Sequence, residues 1–119
     1  MAIKGIGSDI VEISRIERLF KQYGERFSRK VFTRGEVAYC NSKEHPEVHF
    51  AGRFAAKEAI AKAVYQSGYN EIIPFSHIEI LNDTEGRPQV SLLIQFRGTC
   101  LVTISHERSM AIAFAILEV

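Results

Sequence analysis

No apolar run in this 119-residue chain approaches the roughly 20 residues of a membrane span, which excludes a bilayer-crossing helix. The opening Met1-Ala2-Ile3-Lys4 lacks the long apolar segment and small-residue cleavage site of a signal peptide, so a cytoplasmic protein is expected. Cysteine is scarce: Cys40 and Cys100 lie far apart and neither has a CxxC neighbour. That removes zinc and redox motifs and leaves two free thiols suited to a reducing compartment. There is no GxGxxG and no GxxxxGK[ST] pattern. There is also no repeat, low-complexity tract or Pro/Gly/Ser linker, so residues 1–119 read as one domain. Net charge is only +1, and the basic residues are not interleaved with aromatics. Nucleic acid is therefore a poor candidate partner, and nothing suggests a membrane.

What is present is ordinary for a globular protein, with 46% apolar and 24% charged residues. The charge is unevenly spread. Residues 1–34 hold eight Lys and Arg against four Asp and Glu, a local +4, and the remainder carries −3. An anionic partner docking near the N-terminal third would fit that excess, as would a solvated helix face.

Ile3 to Val11 reads as a strand, with Gly5 and Gly7 permitting close approach of another backbone. Ile13, Ile16, Phe20 and Tyr23 recur at helical spacing, with Arg15, Arg18 and Lys21 off the stripe and Gly24 as a stop. A short helix is expected near 35–42 behind Thr33 as N-cap. The long central helix should run from His49 to Ser67. Four segments then follow: Ile78–Leu81, Gln89–Gln95, Cys100–Ser105 and Met110–Glu118. Turn-rich stretches such as Asn82-Asp83-Thr84-Glu85-Gly86-Arg87-Pro88 separate them. Successive strands with tight turns predict an antiparallel meander packed with the long helix, an α+β fold. Met110–Leu117 is apolar on both sides, which points to cover from helices or another subunit.

Glu58 is the most informative residue. On a 3.6-residue helix it shares a face with Ala51, Phe54, Ala55, Ala61, Lys62 and Tyr65. An acid among small apolar side chains needs a metal ion, a base or a ligand. Asp9 lies near a glycine on the first strand and reads either as a structural carboxylate or as a second ligand. Together Asp9 and Glu58 match the one or two protein carboxylates of a magnesium site. Lys62, one turn after Glu58, is either its i,i+4 partner or a cation for a phosphate. Arg53 and Lys57 read as a phosphate-binding pair or as surface charge. His106, at a strand end, suits phosphate binding or orientation of a nucleophile. His45, His49 and His77 have no evident company.

Gly7-Ser8-Asp9-Ile10-Val11-Glu12-Ile13 with Arg15-Ile16, and Arg53-Phe54-Ala55-Ala56-Lys57-Glu58-Ala59 with Lys62, resemble the bacterial holo-acyl-carrier-protein synthases. So do Asn82-Asp83 with Gly86-Arg87-Pro88, and Ile104-Ser105-His106. The resemblance runs in order along nearly the whole chain. It implies the 4′-phosphopantetheinyl transferase fold, a homotrimer with interfacial sites, and transfer of phosphopantetheine from coenzyme A to a serine of apo-acyl carrier protein, a step in fatty acid biosynthesis. It implies Mg²⁺ on Asp9 and Glu58, with Glu58 or a water near it as base and Lys62 at the leaving phosphate. It further implies Arg53 and His106 on coenzyme A phosphates, Gly86, Arg87 and Pro88 beside the adenosine, and Arg15, Arg18 and Lys21 facing the acidic carrier. A non-catalytic module holding an acidic protein on the basic helix is the competing reading. Such a binder has no need of Asp9, Glu58 and Lys62 together.

Overall fold

The computed structural model describes residues 2–119. Strand β1 (Ile3–Glu12) leads into helices α1 (Ile13–Tyr23), α2 (Glu25–Val31), α3 (Arg34–Asn41) and α4 (Pro46–Gln66). A single 3-10 turn (Phe75–His77) precedes β2 (Ile78–Asn82), β3 (Pro88–Leu92), β4 (Thr99–His106) and β5 (Met110–Glu118). The α+β class holds, and so do the long helix and the expected strands, except that β3 stops at Leu92 rather than running on to Gln95.

The meander does not form one sheet. β2 and β3 pair as a two-stranded sheet, whereas β4 and β5 join β1 in the order β1-β5-β4. The first strand takes the free edge of the last, antiparallel to it from Ile3 opposite Glu118 to Glu12 opposite Met110. α2 is a helix that periodicity does not announce. It is seven residues long and follows Gly24, whose φ of +54° ends α1 with its N–H bonded to the Phe20 carbonyl. Thr33 caps α3 as expected. Its hydroxyl accepts from the Glu36 N–H at 3.2 Å, and the Glu36 carboxylate accepts from the Thr33 N–H at 2.9 Å, a complete capping box. α4 starts three residues earlier than expected, because Pro46 suits a first helical turn.

α4 is the axis of the molecule. Phe50 to Lys57, Ala59, Ile60, Ala61, Ala63 and Val64 are all buried. One side meets the three-stranded sheet, whose inner rows are Gly5–Leu117–Cys100, Gly7–Ala115–Val102 and Asp9–Ala113–Ile104. β1 lies very close to the helix. A Cβ on Gly5 would stand 2.0 Å from the Ala63 carbonyl oxygen, and one on Gly7 2.0 Å from that of Ala59. Two strand residues advance about as far as four helical ones, so the two glycines meet successive turns. The other side carries an aromatic cluster in which Phe20 meets Phe27 at 5.0 Å and Phe32 meets Phe50 at 4.9 Å.

The outer face of the sheet has no cover within the chain. Ile6, Ile10, Leu101, Ile112 and Phe114 are exposed, in cross-strand rows Ile6–Ile116–Leu101, Ser8–Phe114–Thr103 and Ile10–Ile112–Ser105. The final strand is thus buried on its alanine side against α4 and bare on its Ile112–Phe114 side.

Candidate active site

The burial of α4 changes the meaning of Glu58. Only part of its face is packed: Ala51, Phe54, Ala55 and Ala61 are buried, whereas Lys62 and Tyr65 are exposed. In the second half of the helix, Glu58, Lys62, Tyr65 and Gln66 form the only strip that reaches solvent, and Glu58 is half-buried there. The strip runs beside β1. Lys62 Nζ donates to the Ser8 carbonyl at 2.8 Å and to the Asp9 carboxylate at 3.3 Å. Asp9 and Glu58 are close enough to feel one another. Burial first, and then the Asp9 charge, push the Glu58 carboxyl above the usual carboxylate range, while Lys62 and Arg15 oppose the shift. Two carboxylates and one ammonium therefore converge at the edge of β1, with one carboxylate held in an unfavourable charged state.

Arg15, on α1, also faces this group. Its guanidinium lies 5.6 Å from the centre of the Phe54 ring and acts on Glu58. Arg18 and Lys21 border a separate groove of about 1300 Å³, floored by Phe20, Phe32 and Phe50.

A second group gathers at the opposite edge of the sheet, where β4 ends. A cleft of about 350 Å³ is lined by Arg53, His106, Gly86, Pro88, Asn82 and His49, among others. Arg53 is 4% exposed. Its Nη2 donates to the Asn82 Oδ1, its guanidinium stacks 4.2 Å from the Tyr39 ring centre, and its buried Nε has no partner among the described residues. Asn82 in turn donates to the Gly86 carbonyl at 2.8 Å, fixing the turn. Arg87 does not line the cleft. Its Nε is bonded to Asp83 at 2.9 Å and its side chain is 70% exposed. The Arg87 and Glu85 N–H groups also bind Asp83, whose carboxyl they hold below the usual range, the Arg87 N–H most of all.

His49 has company after all. It shares the cleft with Arg53 and His106, and its pKa is lowered by burial and then by Arg53, Lys43 and His106. Tyr39 and Asn82 are the other residues that sequence reasoning missed. They act through contacts far apart in the chain, and only the Asn82-Asp83 pair ahead of Gly86 hinted at one of them. Lys57 is the clear correction. It is not a partner to Arg53 at a phosphate but is 0% exposed, paired at 2.7 Å with the equally buried Glu36. Helical rotation of about 100° per residue sends Lys57 into the core and Glu58 to the strip.

Residues 5–115 match the family model described as the 4′-phosphopantetheinyl transferase superfamily. A holo-[acyl-carrier-protein] synthase from Protochlamydia amoebophila is 47% identical, over 94% of this chain and 95% of the relative. One from Chlorobaculum tepidum is 45% identical, over 95% of this chain and 97% of the relative. The crystal structure of the Helicobacter pylori holo-[acyl-carrier-protein] synthase in complex with coenzyme A superimposes with a TM-score of 0.83 at 31% identity, covering 95% of this chain and 99% of that one. The chain belongs to the 4′-phosphopantetheinyl transferase superfamily, within its holo-[acyl-carrier-protein] synthase family.

Proposed function

We propose that this chain, as one domain over residues 1–119, transfers the 4′-phosphopantetheine arm of coenzyme A to a serine of apo-acyl carrier protein, releasing adenosine 3′,5′-bisphosphate and supporting fatty acid biosynthesis. Family membership supplies the reaction class. The observation in this chain that carries the reading is the convergence of Asp9, Glu58 and Lys62, with Glu58 pushed above its usual range by burial and Asp9.

The residues fit a magnesium ion. Two carboxylates are the hard oxygen donors it favours, and phosphate oxygens and waters complete such sites. No group of three or more His, Cys, Asp and Glu side chains stands together among the described residues, so the donor set is not that of a closed protein cage. Bound by Asp9 and Glu58, Mg²⁺ would neutralise charge on the pyrophosphate oxygens. The remaining work is done by side chains. Glu58, directly or through a water it holds, takes the proton of the carrier serine, whose oxygen attacks the phosphorus nearer pantetheine. The bond from that phosphorus to the adenosine bisphosphate breaks, and Lys62 meets the charge gathering on the leaving oxygen. Lys62 is already fixed by the Ser8 carbonyl, so little reorganisation is needed. Arg53, with its unpartnered Nε, and His106 hold coenzyme A phosphates in the β4 cleft, and Gly86 and Pro88 flank the adenosine. Arg87 joins them on release from Asp83. Arg15, Arg18 and Lys21 steer the acidic carrier.

The working form is a homotrimer. Asp9 and His106 lie on the two edge strands with β5 between them, and the bare apolar face joins both edges. A second copy on that face would wall the half-sites and cover Phe114 and Ile112. The compartment is the cytoplasm. Cys40 and Cys100 are free and buried, and burial pushes their thiols up to about 12 and about 11. The reading is tested by mixing the protein with apo-carrier protein, coenzyme A and Mg²⁺ and weighing the carrier. A gain equal to the phosphopantetheine arm, abolished by chelator, is expected. No gain across several carriers would refute it.

A further inference from the structure

The β2–β3 sheet is only two strands wide, so the free edge of β2 should present unpaired backbone groups to the interior. It does not, because Lys57 and Glu36 occupy that edge. Lys57 Nζ donates to the Ile78 carbonyl, and also to the Phe75 carbonyl at 2.8 Å. Glu36 Oε2 accepts from the Ile80 N–H at 2.8 Å, while its Oε1 takes Lys57 and the Thr33 N–H. One ammonium and one carboxylate thus supply, to alternate residues of β2, the donor and acceptor that a third strand would supply. Thr33, at the head of α3, adds a hydroxyl bond to Glu79 on the same strand.

The edge so fixed ends at the cleft. Two residues beyond Ile80 is Asn82, which holds Arg53, and Arg53 lies one helical turn before Lys57 on α4. α4 therefore grips β2 at two points, Lys57 on Ile78 and Arg53 on Asn82, and Glu36 closes the gap between them. We propose that Lys57 and Glu36 are positioning residues for coenzyme A binding: they act as a surrogate strand that sets the register of β2 on α4 and so holds Asn82 and the Gly86 turn against Arg53. The pair touches no substrate. Its burial explains why a lysine next to Glu58 does not compete for the metal or the phosphates. The inference rests on the proposed use of the Arg53 cleft for coenzyme A.

Steady-state kinetics test it. Glu36→Asp keeps the charge but is too short to span Lys57 and Ile80. Loss of one buried hydrogen bond predicts a rise of about fivefold in KM for coenzyme A. The kcat and the KM for carrier protein should stay within about twofold, a split that general destabilisation would not give. Lys57→Met/Glu36→Gln removes both charges together and gives a second route to the same readout, with an increase of about tenfold expected. In an Asn82→Ala background the Glu36→Asp effect should fall below about twofold, because both changes act through one link. A folded Glu36→Asp or double-variant protein with unchanged KM for coenzyme A overturns the assignment, as does a full Glu36→Asp effect on top of Asn82→Ala. Wild-type protein unable to modify any carrier would instead strike the functional reading beneath it.

Discussion

Adding one methyl group at Gly7 tests how the fold places Asp9, a proposed metal ligand. The new Cβ would stand 2.0 Å from the Ala59 carbonyl oxygen, whereas ordinary contact begins at 3.4 Å, so β1 must lift from α4 by about 1.4 Å, the difference of the two. The obstacle is helix backbone, which cannot turn aside as a flexible side chain would. Gly7→Ala should therefore cost about 3 kcal/mol, the upper end for overpacking. Against a domain stability of about 5–15 kcal/mol the variant still folds. With a urea m-value of about 1–3 kcal/mol/M, its midpoint should fall by roughly 1–3 M at matched protein concentration. Asp9 is two residues along the same inner face of β1, so the lift displaces it from Glu58 and Lys62 as well. Misplacement of about 1 Å predicts a turnover loss of about 100-fold. Gly68→Ala is the control. Its φ is +106° with no atom within 4 Å of the added carbon, so it should cost only about 1–2 kcal/mol of backbone strain and leave turnover alone. A Gly7→Ala protein within about 0.5 kcal/mol of wild type and fully active would refute the reasoning.

Glu58→Gln should lower turnover by about 100- to 1000-fold in the carrier assay, yet stabilise the metal-free protein. Because the folded-state pKa of Glu58 is raised, its contribution to stability is full below the unfolded-state pKa, about 4.3, and is lost as pH rises through the folded value. Melting curves should therefore coincide near pH 4 and favour the variant at pH 8, and equal melting temperatures at pH 8 would contradict the assignment. Phe114→Arg puts a charge at the centre of the bare face, so light scattering after size exclusion should read trimer for wild type and monomer for the variant. A monomeric wild type at micromolar concentration would refute the trimer.

Local signals carried much of this fold into the sequence. The Ile13–Ile16–Phe20 stripe, the Gly24 stop and the Thr33 cap are decided within a turn or two of chain, so they can be read there. The Gly5 and Gly7 pair likewise signalled close backbone approach before its target in α4 was visible. Pairing choices are different. Nothing within β3 and β4 says that they part into separate sheets. Nor does β5 show that its second edge will be taken by β1, about 100 residues earlier, and long-range pairing is where local pattern has least hold. α4 misled for another reason. Alanine packs against a sheet or faces water with equal ease, so an Ala-rich helix does not disclose how many of its sides are covered.

The charges on α4 show why the site was half legible. Arg53, Lys57, Glu58 and Lys62 form one motif in the sequence, which suggests a single site for them. Helical rotation distributes them to three surroundings: Arg53 to the β4 cleft, Lys57 to the closed edge of β2, and Glu58 with Lys62 to the strip along β1. A lysine gives no local sign that it will be buried. Its partner Glu36 lies 21 residues away on another helix, where the structure also makes it the third residue of the Thr33 capping box. The same carboxylate serves the cap and the ion pair, so local and tertiary structure select the same residue for different reasons. α4, buried along most of its middle, then carries both half-sites. Displacement of β2 at one end and of β1 at the other should therefore separate experimentally, the first in affinity for coenzyme A and the second in turnover.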